Sequence, residues 1–364
     1  GGVIYITTKK QTLGHHFSAD SSVKSFFNKN SPFDTFCQKF GYSGQLSENT
    51  FLKTNIKGTA AQNKYPFINY KNKTSVREHS SVYDGNSDIK LSHFFGNGNN
   101  WNIGNSTYAA HKEIPGPETS LTTGIQKDFD NNLSFNVSFP SINQSLKLDG
   151  NAAWLSNTRF YEEQTESRHY VNSFILSSAA DFYKYERFQQ AAGITLNVTH
   201  LNSTDDGIHT LFSGTFKETS RFFLNDIFSV TVPLSIKFSG KNIAFIPKLG
   251  IRASFEYADI MLNGYRMVQF PNMDDLYWGD SSYACGNPDL TPEYGWGAEC
   301  TVNAHNIFIP FSICIFTNYY TNKIQWSSNS SGKWTPQNVA SAFYLGIDVS
   351  FEKTFFSVLT VKGN

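Results

Sequence analysis

The residue order alternates between apolar and polar over stretches too long for an ordinary soluble strand. From Phe228 to Phe238 the apolar set is Phe228, Val230, Val232, Leu234, Ile236 and Phe238, with Ser229, Thr231, Pro233, Ser235 and Lys237 between them. A β-strand sends successive side chains to opposite faces, so this order builds one greasy face and one wet face. Gly240-Lys241-Asn242 follows as a turn cluster. Ile243, Phe245, Leu249, Ile251, Ala253, Phe255 and Tyr257 then alternate with Lys248, Gly250, Arg252, Ser254 and Glu256. Two such runs around a tight turn predict a β-hairpin.

The pattern recurs along the chain. Leu133, Phe135, Val137 and Phe139 form one such face, and Leu146, Leu148, Ala152 and Trp154 another. So do Ile194, Leu196 and Val198, then Ile307, Ile309, Phe311, Ile313 and Ile315, and finally Phe343, Leu345, Ile347, Val349 and Phe351. Roughly sixteen segments of about 9 to 15 residues can be read this way, whereas soluble strands have a mode near 5–6. A strand of about 9–11 residues crosses a bilayer. Lipid cannot satisfy an open sheet edge, so a spanning sheet must close. The fold class expected is all-β, a transmembrane antiparallel β-barrel. The soluble rival is a sandwich or propeller, with shorter strands and, for a propeller, a repeat of about 40–50 residues. No such repeat is present. Polar and turn residues place loops at 96–100, 114–120, 203–207, 274–289 and 327–336.

Composition agrees. The 30 basic and 30 acidic residues cancel, which argues against nucleic acid as a partner. Charged residues are 16% of the chain and aromatics another 16%, with 33 Phe and 18 Tyr; soluble domains carry about 25% charged residues. The longest nearly apolar run, Ile307 to Phe316, is broken by Pro310 and Ser312. It is too short for a spanning helix, which needs about 20 residues. The chain opens on Gly1-Gly2-Val3 without Met or a basic leader, which reads as a truncated start. Cys37, Cys285, Cys300 and Cys314 match no zinc or redox spacing; Cys285 and Cys300 either pair in an oxidising compartment or stay free. No Gly-x-Ser-x-Gly, His-Glu-x-x-His or phosphate loop occurs, so a transporter is expected and not an enzyme.

Four ordered segments carry a family resemblance. Gly1-Gly2-Val3-Ile4-Tyr5-Ile6-Thr7-Thr8-Lys9-Lys10 comes first. Gly264-Tyr265-Arg266 with Phe270-Pro271-Asn272-Met273-Asp274-Asp275-Leu276-Tyr277-Trp278 is second. Gly286-Asn287-Pro288-Asp289-Leu290-Thr291-Pro292-Glu293 is the third and most specific. The fourth is Lys323-Ile324-Gln325-Trp326, then Trp334-Thr335-Pro336-Gln337-Asn338-Val339, then Gly346-Ile347-Asp348. Together they resemble TonB-dependent outer-membrane receptors, in particular the cobalamin-receptor-like branch. The Pro of the second segment stands later than the family pattern has it.

The resemblance implies a 22-stranded barrel with an N-terminal plug. Residues 1–10 would be the C-terminal end of the plug and 11–364 the barrel. About four to six last strands, most of the plug and the TonB box would then lie outside this sequence. It implies an outer membrane of Gram-negative type, with TonB (through the missing plug region), a small-molecule nutrient and membrane lipid as partners. The nutrient expected is a corrinoid such as cobalamin; the alternatives are a ferric siderophore or haem. A passive porin-like or adhesin barrel without TonB coupling is a further alternative, and a soluble carbohydrate-binding β protein a distant one.

Two candidate sets lie in the expected loops. Tyr277, Trp278, Tyr283, Trp326 and Trp334 are either an interfacial aromatic girdle or contacts for a ligand at the outer mouth. Asp205, Asp206, Asp274, Asp275 and Asp280 are either solvated loop carboxylates or calcium ligands, since that ion takes hard oxygens. No other cofactor is expected. His15-His16 is a minor metal candidate, a wall position being the plain alternative.

Overall fold

The computed structural model describes residues 14–27, 32–119, 123–142, 144–339, 341–356 and 359–364. The expected plug end, residues 1–10, lies outside them. Of the described residues about 74% are strand and 1% helix. Its first strands are β1 (His15–Lys24), β2 (Thr35–Ser47), β3 (Thr50–Ala61), β4 (Pro66–Ile68), β5 (Thr74–Val76), β6 (Val82–Phe94) and β7 (Asn100–Pro115). Then come β8 (Thr123–Ile142), β9 (Leu146–Glu162), β10 (Glu166–Tyr185), β11 (Phe188–Ser203), β12 (Gly207–Phe223), β13 (Phe228–Ser239), β14 (Asn242–Ser254) and β15 (Ala258–Gln269). A short helix, α1 (Met273–Tyr277), precedes β16 (Glu293–Ala304), β17 (Phe311–Thr321), β18 (Lys323–Ser328), β19 (Trp334–Val339), β20 (Ala342–Phe355) and β21 (Leu359–Gly363). β4 with β5 and β18 with β19 make separate two-stranded sheets; the other strands belong to one large sheet.

The chain divides into two units. The first holds residues up to Phe139 with 150–175 and 199–204; the second holds 140–149, 176–198 and 205–364. In the first, β1, β2, β3, β6, β7 and β8 pair in succession, each antiparallel to the next. In the second, β12 to β17 and then β20 and β21 do the same.

Register turns the alternation into continuous stripes. In the second unit Val230 pairs with Ile251, Ile251 with Leu262, Leu262 with Cys300, Cys300 with Ile315 and Ile315 with Ile347. One residue along, Thr231, Gly250, Asn263 and Glu299 make the opposite row. There the Asn263 amide donates to Glu299 Oε1 at 2.9 Å, and the Tyr265 hydroxyl donates to Asn318 Oδ1 at 3.1 Å. The first unit repeats the scheme. Leu52, Leu91, Ile103 and Phe135 form an apolar row, while Asn136 bridges Asn102 and Asn151 by amide hydrogen bonds.

Nothing resembling a globular core accompanies these stripes. Among the described residues the buried apolar side chains are three alanines (Ala61, Ala110 and Ala244), two leucines (Leu201 and Leu290) and the prolines Pro271, Pro292 and Pro336. A sheet with one face apolar and exposed, and the other polar and mutually hydrogen-bonded, is stable where the apolar face meets hydrocarbon. Paired aromatics bound the stripe. Trp296, Tyr319 and Phe343 are in register near one end, and Phe311 with Phe351 near the other. Tyr319 and Phe311 are eight residues apart along β17, about 27 Å at ~3.4 Å per residue, close to the apolar band of about 25 Å in outer-membrane strands. In the second unit, connections 224–227, 255–257 and 305–310 gather at the Phe311 end, while 270–292 and 322–339 lie at the Trp296 end.

Several expectations need correction. Ile307, Phe308 and Ile309 lie in the turn before β17, which starts only at Phe311, because Pro310 has no N–H to give a ladder. The segment 327–336 is no plain loop but the tip of the β18–β19 hairpin, and 274–289 opens inside α1. The possible Cys285–Cys300 pair does not form: all four cysteines are free.

Candidate functional site

Three segments of the second unit converge at the long-loop end: residues 205–209, the connection 270–292, and the β18–β19 hairpin. α1 begins the convergence. The Asn272 side chain accepts from the Asp275 N–H at 2.7 Å, and Asp275 Oδ2 accepts from the Asn272 N–H at 3.3 Å, a reciprocal capping box. That leaves Asp275 Oδ1 to accept the Trp326 indole N–H at 3.1 Å, joining helix to hairpin. Trp326 meets Trp278 edge to face at 6.1 Å between centroids, a geometry that the ring quadrupoles favour. Tyr277 stacks on His209 at 3.7 Å with an interplanar angle of 6°. The Gly279 N–H donates to Asp206 Oδ1 at 2.8 Å.

The backbone completes the union. The Trp334 N–H donates to the Tyr283 carbonyl at 2.8 Å, and the Cys285 N–H donates to the Trp334 carbonyl at 3.0 Å. The Asn287 amide reaches the Pro336 carbonyl at 3.0 Å. Asn338 is saturated: its oxygen accepts from Thr291 N–H and Oγ1, and its amide donates to the Thr291 and Asn322 carbonyls. Glu293, 5% exposed, accepts from the Ile324 N–H at 2.8 Å and from Lys323 Nζ at 2.9 Å. The third and fourth motif segments, Gly286–Glu293 and Trp334–Val339, are thus the two halves of one clasp. Asn272, His209, Asn287, Glu293 and Asn338 position it. None of the five stands out as a site residue in the sequence, although Asn272, Asn287, Glu293 and Asn338 lie inside the motif segments.

The clasp needs two glycines. A Cβ on Gly279 would stand 2.3 Å from the Asp205 carbonyl oxygen, and one on Gly286 would stand 2.6 Å from Trp278 N and 2.8 Å from the Leu276 carbonyl. Those neighbours are backbone atoms that cannot swing aside. Gly286→Ala is therefore expected to pry 276–292 loose and raise its rate of limited proteolysis roughly tenfold, with the large sheet unchanged. An unaltered digestion pattern would count against the clasp.

The five aromatic candidates are brought together. Trp278, Tyr283 and Trp334 are 48%, 79% and 55% exposed, while Tyr277 and Trp326 are half-buried supports beneath them. The five aspartates are not. Asp206 serves Gly279, Asp275 caps α1, and Asp280 accepts from Lys333 Nζ at 2.6 Å, a contact that holds the Lys333 ammonium above the usual lysine range. Among the described residues no group of three or more His, Cys, Asp or Glu side chains gathers as for a metal. His15 Nδ1 sits 2.9 Å from the Tyr42 hydroxyl, in the wall.

The siderophore receptor PirA from Pseudomonas aeruginosa superposes with a TM-score of 0.77 at 14% identity, over 98% of this chain and 66% of that one. The chain has the fold of the TonB-dependent outer-membrane receptors. The same receptor fold is seen in the Serratia marcescens hemophore receptor HasR, solved with its hemophore HasA and heme, with a TM-score of 0.72 and 9% identity over 93% of this chain and 60% of that one. In sequence, 84 residues are 34% identical to the vitamin B12 transporter BtuB of Photobacterium profundum, which is 22% of this chain and 13% of that protein. No family model matches. The chain thus spans two thirds or less of the length of these relatives. All three are receptors or transporters, not enzymes.

Proposed function

We propose that this chain forms most of the wall and outer loops of an outer-membrane receptor of a Gram-negative-type bacterium. It would capture a scarce nutrient and pass it inward at the expense of TonB, acting on a plug domain. The nutrient class best matched by the clasp is a corrinoid such as cobalamin. One observation carries this: the clasp presents Trp278, Tyr283 and Trp334 to solvent, and no Lys or Arg occurs between Phe270 and Glu293. Exposed rigid aromatics suit a large, weakly charged conjugated ring. A ferric catecholate carries several negative charges and haem two propionates, and Asp274 and Asp289 would repel them, Asp280 being paired with Lys333. The local likeness to a vitamin B12 transporter supports the same reading. The ferric siderophore or haem reading is favoured instead by PirA and HasR and stands second.

Equilibrium titration of the full-length receptor with cyanocobalamin and with a ferric catecholate, followed by tryptophan fluorescence, separates them. Cobalamin is expected to bind and quench, with Trp278→Ala and Trp334→Ala each weakening it about tenfold. Tight binding of the ferric catecholate alone would move the assignment to iron. Diffusive conductance without either affinity would favour a passive pore.

A further inference from the structure

The first unit carries a cavity of quite different chemistry. β4 and β5 form a hairpin within the 62–81 connection, and between it and residues 115–118 lies a space of about 330 Å³. Phe67, Tyr70, Arg77, His79, Pro115 and Glu118 line it. The hairpin is firmly shaped: Asn69 Oδ1 accepts from the N–H groups of Lys71 and Lys73, both at 3.0 Å, and the Asn69 amide donates to Ser75 Oγ at 2.8 Å. Arg77 is half-buried, and its Nη2 makes only long contacts of 3.4 Å to the Pro115 and Gly116 carbonyls. Among the described residues no carboxylate stands within ion-pair distance of it.

A half-buried guanidinium without an anion is costly, and its planar fork matches a phosphate or carboxylate. The surroundings lean the same way. Lys64, Lys71, Lys73 and Arg77 outnumber Glu78 on this connection, and the Lys71 ammonium lies 5.3 Å over the Tyr70 ring. Two carboxylates oppose an anion here. Glu118 already accepts the Tyr70 N–H through Oε2 at 2.8 Å, and Glu78 is exposed on the lining. We infer that the Arg77 cavity is a binding site for an oxyanion, a phosphate or carboxylate group carried by a soluble small molecule. Arg77 would supply the fork, Lys71 and Lys73 long-range attraction, and Tyr70 and Phe67 the walls. The site belongs to the first unit and the aromatic clasp to the second, and the inference does not depend on the corrinoid reading.

The test is calorimetric titration of the full-length receptor in neutral detergent with inorganic phosphate and, separately, with acetate. Saturable binding below about 10 mM is expected for at least one. Arg77→Ala is expected to weaken it about tenfold or more, and Arg77→Lys by less, since lysine keeps the charge but loses the fork. Should Arg77→Ala disturb the Pro115–Gly116 turn, the double variant Lys71→Ala/Lys73→Ala, which breaks no contact of that turn, is expected to weaken binding about threefold. Glu118→Gln is expected to tighten it. No saturable binding, or equal binding by Arg77→Ala, overturns the inference. So does loss of binding in nanodiscs of anionic lipid, which would give the cavity to a lipid headgroup. Cobalamin capture is expected to survive Arg77→Ala, so failure here and failure of the transport reading remain distinguishable.

Discussion

Leu262→Arg is expected to cost the membrane-inserted chain about 2–4 kcal/mol, whereas Asn263→Arg, its immediate neighbour, is expected to cost less than about 1 kcal/mol. The two positions share a strand, a backbone conformation and nearly the same depth. They differ in face. Leu262 pairs with Ile251 and Cys300 in the middle of the exposed apolar row. Asn263 pairs with Gly250 and Glu299, and its amide donates to Glu299 Oε1. A guanidinium at 262 must be drawn into hydrocarbon or snorkel to its edge. At 263 it meets a carboxylate in a wet interior. Reversible denaturant unfolding in lipid vesicles reads both costs. Equal penalties for the two variants would mean that neither face meets lipid, and the membrane assignment would fall with them.

The wall was legible in the sequence because its physics is local. A strand with one face toward lipid must alternate, so Phe228–Phe238 predicts β13 almost residue for residue, and 343–351 falls within β20. Strands with polar outward positions were harder to read. β1, His15–Lys24, has Phe17, Ala19 and Val23 on one face but Ser21 among them, so periodicity barely marks it. Loop structure was hidden for another reason. The sequence around Asn272 and Asp275 contains a capping signature, yet whether a helix of five residues persists depends on Trp326, 51 residues away, donating its indole N–H to Asp275. The clasp was legible only as three motif segments with no stated relation. Their juxtaposition is a tertiary fact, carried by Asn338 and Glu293, that no spacing rule contains. The Arg77 cavity left no motif at all.

Glu293→Ala should release the β18–β19 hairpin while leaving the large sheet intact. Its carboxylate is 7% exposed and accepts from both Lys323 Nζ and the Ile324 N–H. Alanine removes both acceptors and leaves the Ile324 N–H without its partner. Deleting one member of a buried pair costs about 3–5 kcal/mol, but Lys323 is 35% exposed and water can take over its ammonium, so about 2–3 kcal/mol is the reasonable local cost. That corresponds to a roughly 30- to 150-fold rise in hairpin opening. Amide exchange within 323–339 should accelerate by that factor, with exchange in β13 to β17 unaffected because the hairpin is a separate sheet. Glu293→Gln keeps an acceptor for Ile324 and should fall between. The hydrogen bond from Lys323 to Glu293 raises the Lys323 pKa above the usual lysine range. A raised cation stabilises fully below its unfolded pKa and loses that contribution as pH climbs through the folded one. Through Lys323 the latch should therefore hold across the whole neutral range and, on the alkaline side, loosen only in strong alkali. If the aromatic face is the capture surface, ligand affinity should fall in step with hairpin opening. If exchange accelerates while affinity holds, Trp278 and Trp334 are a membrane-interface girdle and capture happens elsewhere.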